Sequence, residues 1–268
     1  MVALPGGFRP KKRLDQYFLR DQDMLQREIY LADIGPNDVV LEIGAGNGAL
    51  TSLISEKALK VVAIEKDRVL ARELVDAMPD NVEVIEGDAL EVEYPAFDRA
   101  MGNLPYSISS PLIFRLFDYE FAIGVLCLQY EFALKMTANP GSPDYSRLSV
   151  MVALNTSMTC LSIKVPRECF WPTPNVDSAV VKFAPDKSVA VDETASDIIR
   201  MIFSHRRKTL RNAVRDSDSE LKGYLGVGSG QILDSIDTDY GTRVFEMTPI
   251  AIHSFAKSVR DLGQTHQG

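Results

Sequence analysis

At 268 residues, 46% apolar and 25% charged, the chain has the make-up of a globular protein with one large domain, or a large and a small one. No run approaches the roughly 18 apolar residues of a membrane span, and the start, broken by Pro5, Gly6 and Gly7, is unlike a signal peptide and reads as a loose arm, so a cytoplasmic setting is expected. A net charge of −8 argues against a general polyanion binder, and three cysteines without a Cys-x-x-Cys pair and three scattered histidines suggest neither a disulfide framework nor a metal site.

In chain order, strand and helix signals alternate over the first 185 residues. Residues 39–43 are a β-branched run, followed by Gly44, Gly46 and Gly48 and a helical stretch over 49–58. Strands are expected at 61–64, at 82–85 and in the segment ending at Gly102, with a helix at 67–77 that repeats Leu70, Leu74 and Val75 on one face. A helix at 110–118 and a strand at 123–128 follow. Strands separated by helices imply a parallel sheet covered on both faces. Two late strands, 161–165 and 176–183, flank a Pro-rich loop and suit an antiparallel hairpin closing the sheet edge. Composition changes near residues 184–188, after which helical signals dominate at 193–204, 206–215 and 248–262. Thr248-Pro249 reads as an N-cap followed by proline at the first helical position. The expected organisation is an α/β Rossmann-like domain over 1–187 and a small all-helical domain over 188–268.

Leu41-Glu-Ile-Gly-Ala-Gly-Asn-Gly48 is a nucleotide-binding turn, in which Gly44 and Gly46 let a ligand approach the main chain. By itself it fits both S-adenosylmethionine (SAM) and dinucleotide patterns. Glu65, ending the second strand, is placed to accept ribose hydroxyls in either case. Asp88, ending the third, suits the adenine amine of a cofactor, an arrangement typical of SAM enzymes. Asn103 ends the fourth. Four successive strand ends thus carry polar or glycine residues at the carboxyl edge, where open α/β sheets bind ligands, and the pattern favours SAM.

Asn103-Leu104-Pro105-Tyr106 then offers a carboxamide oxygen, a backbone carbonyl before proline and an aromatic ring. Those parts can grip an exocyclic amine on a flat heterocycle. The lone pair of such an amine is delocalised, and two acceptors on its N–H bonds turn that lone pair toward an electrophile. The stretch 205–215 adds five cations, Arg206, Arg207, Lys208, Arg211 and Arg215, without an acid, and residues 9–13 form a second basic run. Both are candidate phosphate-binding surfaces on an acidic body.

Together these segments resemble the KsgA-type dimethyladenosine transferases, which methylate adenines in small-subunit ribosomal RNA. The likeness extends from about Lys11 to the last helix. It is carried also by Leu14-Asp-Gln-Tyr-Phe-Leu19, by Phe170-Trp-Pro-Thr-Pro-Asn-Val-Asp-Ser-Ala-Val180 and by residues 203–213. Two positions depart from the family pattern: Asp15 stands where the family usually has Gly, and Tyr17 where it has His or Asn.

The resemblance implies cofactor contacts at Tyr17, Leu19, Gly44, Gly46, Glu65, Asp88 and Asn103, and N6,N6-dimethylation of adenosines. Asn103 and the Leu104 carbonyl are the expected acceptors for the target N6–H, with Tyr106 and Phe170 stacking on the base. The target must be unpaired or flipped out to reach them. Arg206, Arg207, Lys208 and Arg211 are expected on RNA phosphates, within a pre-ribosomal small subunit, and the enzyme is expected to be a monomer without metal. The alternatives are a large-subunit rRNA adenine methyltransferase and an assembly factor with little catalysis. A NAD-linked reading leaves Asn103–Tyr106 unexplained.

Overall fold

In the computed structural model, residues 9–11 and 14–267 are described. The loose arm over 1–8 and Lys12 and Arg13 of the basic run lie outside them. The chain forms two compact units, one of residues Met1–Ala133 and Ser157–Pro185, the other of Leu134–Thr156 and Asp186–Gly268. Residues 134–156 therefore pack with the C-terminal helices, although in sequence they lie inside the stretch read as the α/β domain.

The first unit is built on β1 (Phe18–Leu19), α1 (Gln22–Ala32), β2 (Val39–Ile43), α2 (Ala49–Ser55), β3 (Lys60–Glu65), α3 (Arg68–Ala77), β4 (Val82–Glu86), β5 (Arg99–Asn103), α4 (Ser109–Leu116) and β6 (Ile123–Gln129). After α5 (Tyr130–Met136) and α6 (Arg147–Asn155) come β7 (Thr156–Val165), β8 (Phe170–Trp171) and β9 (Ser178–Pro185). Seven strands make one sheet in the order β4-β3-β2-β5-β6-β9-β7. The pairs β2–β3, β3–β4, β2–β5 and β5–β6 are parallel, and β9 runs antiparallel to β6. The order reverses at β2 and β5, so the crevice beyond their carboxyl ends is the natural ligand site of such a sheet. Val40, Leu41, Val61, Val62, Ala63, Ala100 and Met101 are buried to 0% exposure, as expected of central strands covered on both faces.

Two short strands, β1 and β8, pair antiparallel with Phe18 opposite Trp171 and Leu19 opposite Phe170. This small ladder fastens the segment before α1 to the Pro-rich loop, extended by the Arg20 N–H donating to the Cys169 carbonyl at 2.9 Å. The loop is therefore more than a hairpin connection between β7 and β9.

In the second unit, α7 (Glu193–Phe203) and α11 (Pro249–Gln267) pack together and both contact α6. Ile198, Ile199 and Ile202 of α7 and Ile252, Phe255, Ala256 and Val259 of α11 are buried, in keeping with the apolar spacing of both helices. Between them lie α8 (Leu210–Asp216), α9 (Asp218–Leu225) and α10 (Ser229–Ser235). The helix expected over 206–215 begins only at Leu210. Residues ahead of it form a turn whose backbone bonds go to another segment: Leu210 N–H to the Thr242 carbonyl at 2.9 Å and Val244 N–H to the Lys208 carbonyl at 3.1 Å.

Candidate active site

A cavity of ≈ 180 Å³ opens at the carboxyl edge of β2, β3 and β5. Its walls include all seven residues expected to contact a cofactor: Tyr17, Leu19, Gly44, Gly46, Glu65, Asp88 and Asn103. The turn after β2 holds Gly44 at φ 76° and Gly46 at φ 59°, values side-chain-bearing residues rarely adopt. A Cβ at Gly46 would also sit 3.2 Å from the Phe18 ring.

The Glu65 carboxylate is fixed by two backbone donors, Gly46 N–H at 2.8 Å and Asp67 N–H at 2.6 Å. Burial raises its pKa above the ordinary glutamate range, against the pull of those two bonds. A fixed carboxylate with lone pairs to spare is what ribose hydroxyls require. Asp88 differs. One oxygen accepts the Leu90 N–H at 3.0 Å and the other accepts the Lys66 ammonium, and these bonds hold its pKa below the usual carboxylate range. A cofactor amine on Asp88 must therefore share that carboxylate with Lys66. Beneath the turn, burial pushes Glu42 up to about 8, so it is protonated at neutral pH. Burial raises Glu28 of α1 as well, with Glu42 adding to the effect.

Asp67 is the residue sequence reasoning missed most clearly. It reads as a plain N-cap, and it does cap α3 by accepting the Val69 N–H at 3.1 Å. Its carboxylate also accepts Lys11 Nζ at 2.8 Å and Gln16 Nε2 at 2.9 Å, while Gln16 Oε1 accepts the Lys11 N–H at 2.7 Å. Burial opposes ionisation of Asp67, but those donors outweigh it and its pKa is lowered. The N-terminal element is thereby tied to the loop after β3, with Leu14 to Leu19 forming one wall of the cavity.

A second, smaller chamber of ≈ 10 Å³ is lined by Asn103, Leu104, Tyr106 and Phe170, together with Asp15, Tyr17, Cys127 and Ser178. The four residues expected to hold the target base are thus brought together. Asn103 Oδ1 is buried and has no hydrogen-bond partner among the described residues. A buried orphan acceptor is costly, by about 1–3 kcal/mol, and marks an atom kept for a donor that arrives with a ligand. The Tyr106 hydroxyl pairs with Ser178 Oγ at 2.8 Å, and burial pushes its pKa up to about 12, so it stays protonated. Ser178 is fully buried and holds the ring from the sheet side. Its role could have been read only from its place in the Val176-Asp177-Ser178 stretch.

The two family departures are explained locally. Asp15 takes φ 47°, the left-handed conformation that glycine adopts freely, and its Oδ2 accepts the Ser107 N–H at 3.1 Å. The Tyr17 ring stacks on Tyr106 with centroids 5.7 Å apart and planes 25° from parallel.

The four basic residues expected on RNA divide in the second unit. Arg206 is spent internally, its guanidinium donating to the Tyr145 and Pro143 carbonyls. Lys208 pairs with Asp216. Arg207 and Arg211 are exposed, Arg211 lying over the Tyr240 ring at 5.3 Å. The bridge between Thr209 and Arg243 brings a further exposed arginine beside them, with Arg243 Nη1 donating to the Arg207 carbonyl at 3.4 Å. No local sequence signal links Arg243 to the 206–211 run.

Sheet order, glycine turn and strand-end carboxylates define a class I SAM-dependent methyltransferase. A family model described as ribosomal RNA adenine dimethylase matches residues 7–226. A probable ribosomal RNA small subunit methyltransferase A from Methanosarcina acetivorans is 41% identical over 254 residues, covering 92% of this chain and 93% of its own. The protein of the same description from Pyrococcus abyssi is 38% identical, covering 95% and 94%. Among solved structures, a dimethyladenosine transferase from Plasmodium falciparum superposes with a TM-score of 0.79 at 30% identity, covering 92% of this chain and 98% of that one. The 23S rRNA methyltransferase ErmE gives 0.64 at 26% identity, covering 90% and 99%. The chain belongs to the ribosomal RNA adenine dimethylase family.

Proposed function

We propose that this protein transfers methyl groups from SAM to the N6 atom of adenosines in small-subunit rRNA, giving N6,N6-dimethyladenosine. The single observation that carries the chemistry is the orphaned, buried Asn103 Oδ1 in a chamber shared with Leu104, Tyr106 and Phe170. Bound SAM supplies an electrophilic methyl group. The residues of this chain supply position and polarisation. Glu65, Gly44, Gly46 and Leu19 hold the cofactor, with the Asp88 carboxylate shared between Lys66 and the cofactor's adenine amine. Asn103 Oδ1 and the Leu104 carbonyl accept the two N6–H bonds and turn the nitrogen lone pair toward the cofactor cavity, whose wall Asn103 also forms. Tyr106 and Phe170 fix the plane of the base, stacking being worth roughly 1–3 kcal/mol per base. Alkylation acidifies the remaining N–H, so no strong base is needed. After the first methyl only one N–H remains, and the group must rotate before the second transfer.

The small-subunit reading, over the large-subunit one, rests on 38–41% identity to the small-subunit relatives against 26% to the 23S enzyme. The helical unit, with Arg207, Arg211 and Arg243, recognises rRNA within a pre-ribosomal small subunit, and the protein works as a cytoplasmic monomer. Among the described residues no helix is long and apolar enough to cross a membrane.

The test is methyl transfer from labelled SAM to unmodified small subunits, beside naked rRNA and large subunits, with nucleoside analysis of the products. Dimethyladenosine from small subunits, reduced at least 100-fold by Asn103→Ala, is expected. Label in large-subunit RNA would replace the reading with the resistance-type activity. SAM binding without transfer would leave an assembly role.

A further inference from the structure

We propose that the Tyr17 ring is a placeholder for the target adenine: it covers the stacking face of Tyr106 until a base displaces it, and so sets how readily the chamber accepts a base. This rests on the adenine-N6 reading above and adds to it a specificity-determining residue.

The chamber, at ≈ 10 Å³, has room for about one water, far less than a purine. A base can therefore enter only if a wall moves. Most walls are fastened. Asn103 and Cys127 are ladder partners between β5 and β6, and the Leu104 N–H donates to the Cys127 carbonyl at 3.0 Å. Phe170 lies in the β1–β8 ladder at 6% exposure. Ser178 is in β9, and its hydroxyl pins Tyr106. Asp15 is held by its bond to the Ser107 N–H. Tyr17 belongs to no strand or helix and is half-buried, and its hydroxyl makes no hydrogen bond among the described residues. Its ring is held by packing against the core rather than by a hydrogen bond, which makes it the wall that moves at least cost.

Its resting position is the informative one. The ring lies nearly parallel to Tyr106, 25° from coplanar, with centroids 5.7 Å apart, an offset aromatic stack. It lines the same chamber as the orphan Asn103 oxygen, so it stands on the side of Tyr106 from which a base must approach. The turn that aims it is built from the other departure. Asp15, in the left-handed conformation, ties the N-terminal element to the 3-10 turn Tyr106–Ile108 through Ser107. Asp15 and Tyr17 thus act as a pair: one staples the element beside Tyr106, and the other covers that ring. Because Tyr17 also lines the cofactor cavity, a test must separate base entry from SAM binding.

An aromatic stack of this kind is worth about a two- to tenfold change in an equilibrium constant. At saturating SAM, Tyr17→Ala should lower KM for unmodified small subunits about two- to tenfold, with the SAM dissociation constant measured alongside by calorimetry so that any loss at the cofactor wall is read separately. The effect should fall on KM rather than kcat. Tyr17→Phe, which keeps the ring, should restore the KM of the parent. A KM that rises or stays level in Tyr17→Ala would overturn the proposal, making Tyr17 a fixed wall or a bystander. An activity-independent arm uses protein labelled with 3-fluorotyrosine and loaded with S-adenosylhomocysteine. On titration with AMP, and not with CMP, the Tyr17 fluorine signal, identified through Tyr17→Phe, should move together with that of Tyr106. A Tyr17 signal that stays in place would likewise sink it. Failure of the parent protein to methylate any rRNA would instead remove the functional reading, a result the KM comparison cannot be confused with.

Discussion

At the scale of single residues, the site is governed by which carboxylates are charged. Glu65 is raised above the ordinary range by burial, whereas Asp67 and Asp88 are held low by the cations and N–H groups on them. Glu42, at about 8, is neutral through mildly acidic pH and stays so. Glu65 is therefore the carboxylate of the cavity whose ionisation is displaced upward from the ordinary glutamate range. The sign follows from linkage. Ribose hydroxyls donate to the ionised form, so the bound complex favours the deprotonated carboxylate and binding releases a proton wherever free Glu65 is protonated. SAM affinity should thus fall on acidification, beginning above the pH at which a solvated glutamate would titrate. Calorimetry between pH 5 and 7.5 in buffers of different ionisation enthalpy measures both the affinity and the proton count. Glu65→Gln should bind SAM at least tenfold more weakly and lose the slope over that interval. A slope that survives in Glu65→Gln would assign the proton elsewhere.

At the scale of elements, the strand ends were legible because each carries its chemistry in its own sequence: an apolar strand run stops, and Gly44, Glu65, Asp88 or Asn103 stands at or just beyond its end. What could not be read depends on contacts between distant segments. β1 and β8 are two residues each, too short for any periodicity, and they exist only as partners. Residues 134–156 look like a continuation of the α/β alternation, yet the apolar face of α6 packs on α7 and α11. Asp67 carries the signal of a helix cap and nothing of its bonds to Lys11 and Gln16, 56 and 51 residues earlier in the chain. That latch has a measurable consequence. Gln16→Ala removes the Nε2 bond to Asp67 and the Lys11 N–H bond to Oε1 while leaving the α3 cap in place. SAM affinity should drop about three- to tenfold with little change in melting temperature, and proteolysis ahead of Phe18 should speed up. Asp67→Ala, which loses tether and cap together, should cost more in both affinity and stability. Equal affinity for SAM in Gln16→Ala and the parent would show that the latch does not shape the cofactor wall.

At the scale of the whole molecule, an acidic protein with a net charge of −8 must engage a polyanion through local surfaces rather than its overall field. The basic run of 205–215 suggested four phosphate contacts, but folding redistributes them: Arg206 is consumed by two carbonyls and Lys208 by Asp216, while Arg243 joins Arg207 from another segment. On the reading proposed above, the surface that the helical unit offers to phosphates is then Arg207, Arg211 and Arg243. Each phosphate neutralised releases counterions and adds about 0.7–0.9 to the slope of log affinity against log salt. Replacing the three arginines by alanine should therefore weaken binding to small subunits and flatten that slope by about two, as read from a filter-binding series in KCl, with SAM affinity as the control for folding. Arg206→Ala should separate from them. Its guanidinium closes the turn onto Pro143 and Tyr145 within the same unit, so its loss should lower the melting temperature and leave the slope near that of the parent. The opposite pattern, with Arg206 moving the slope and the three exposed arginines leaving it fixed, would mean that the turn reopens on RNA and that the sequence run, not its folded arrangement, is what binds.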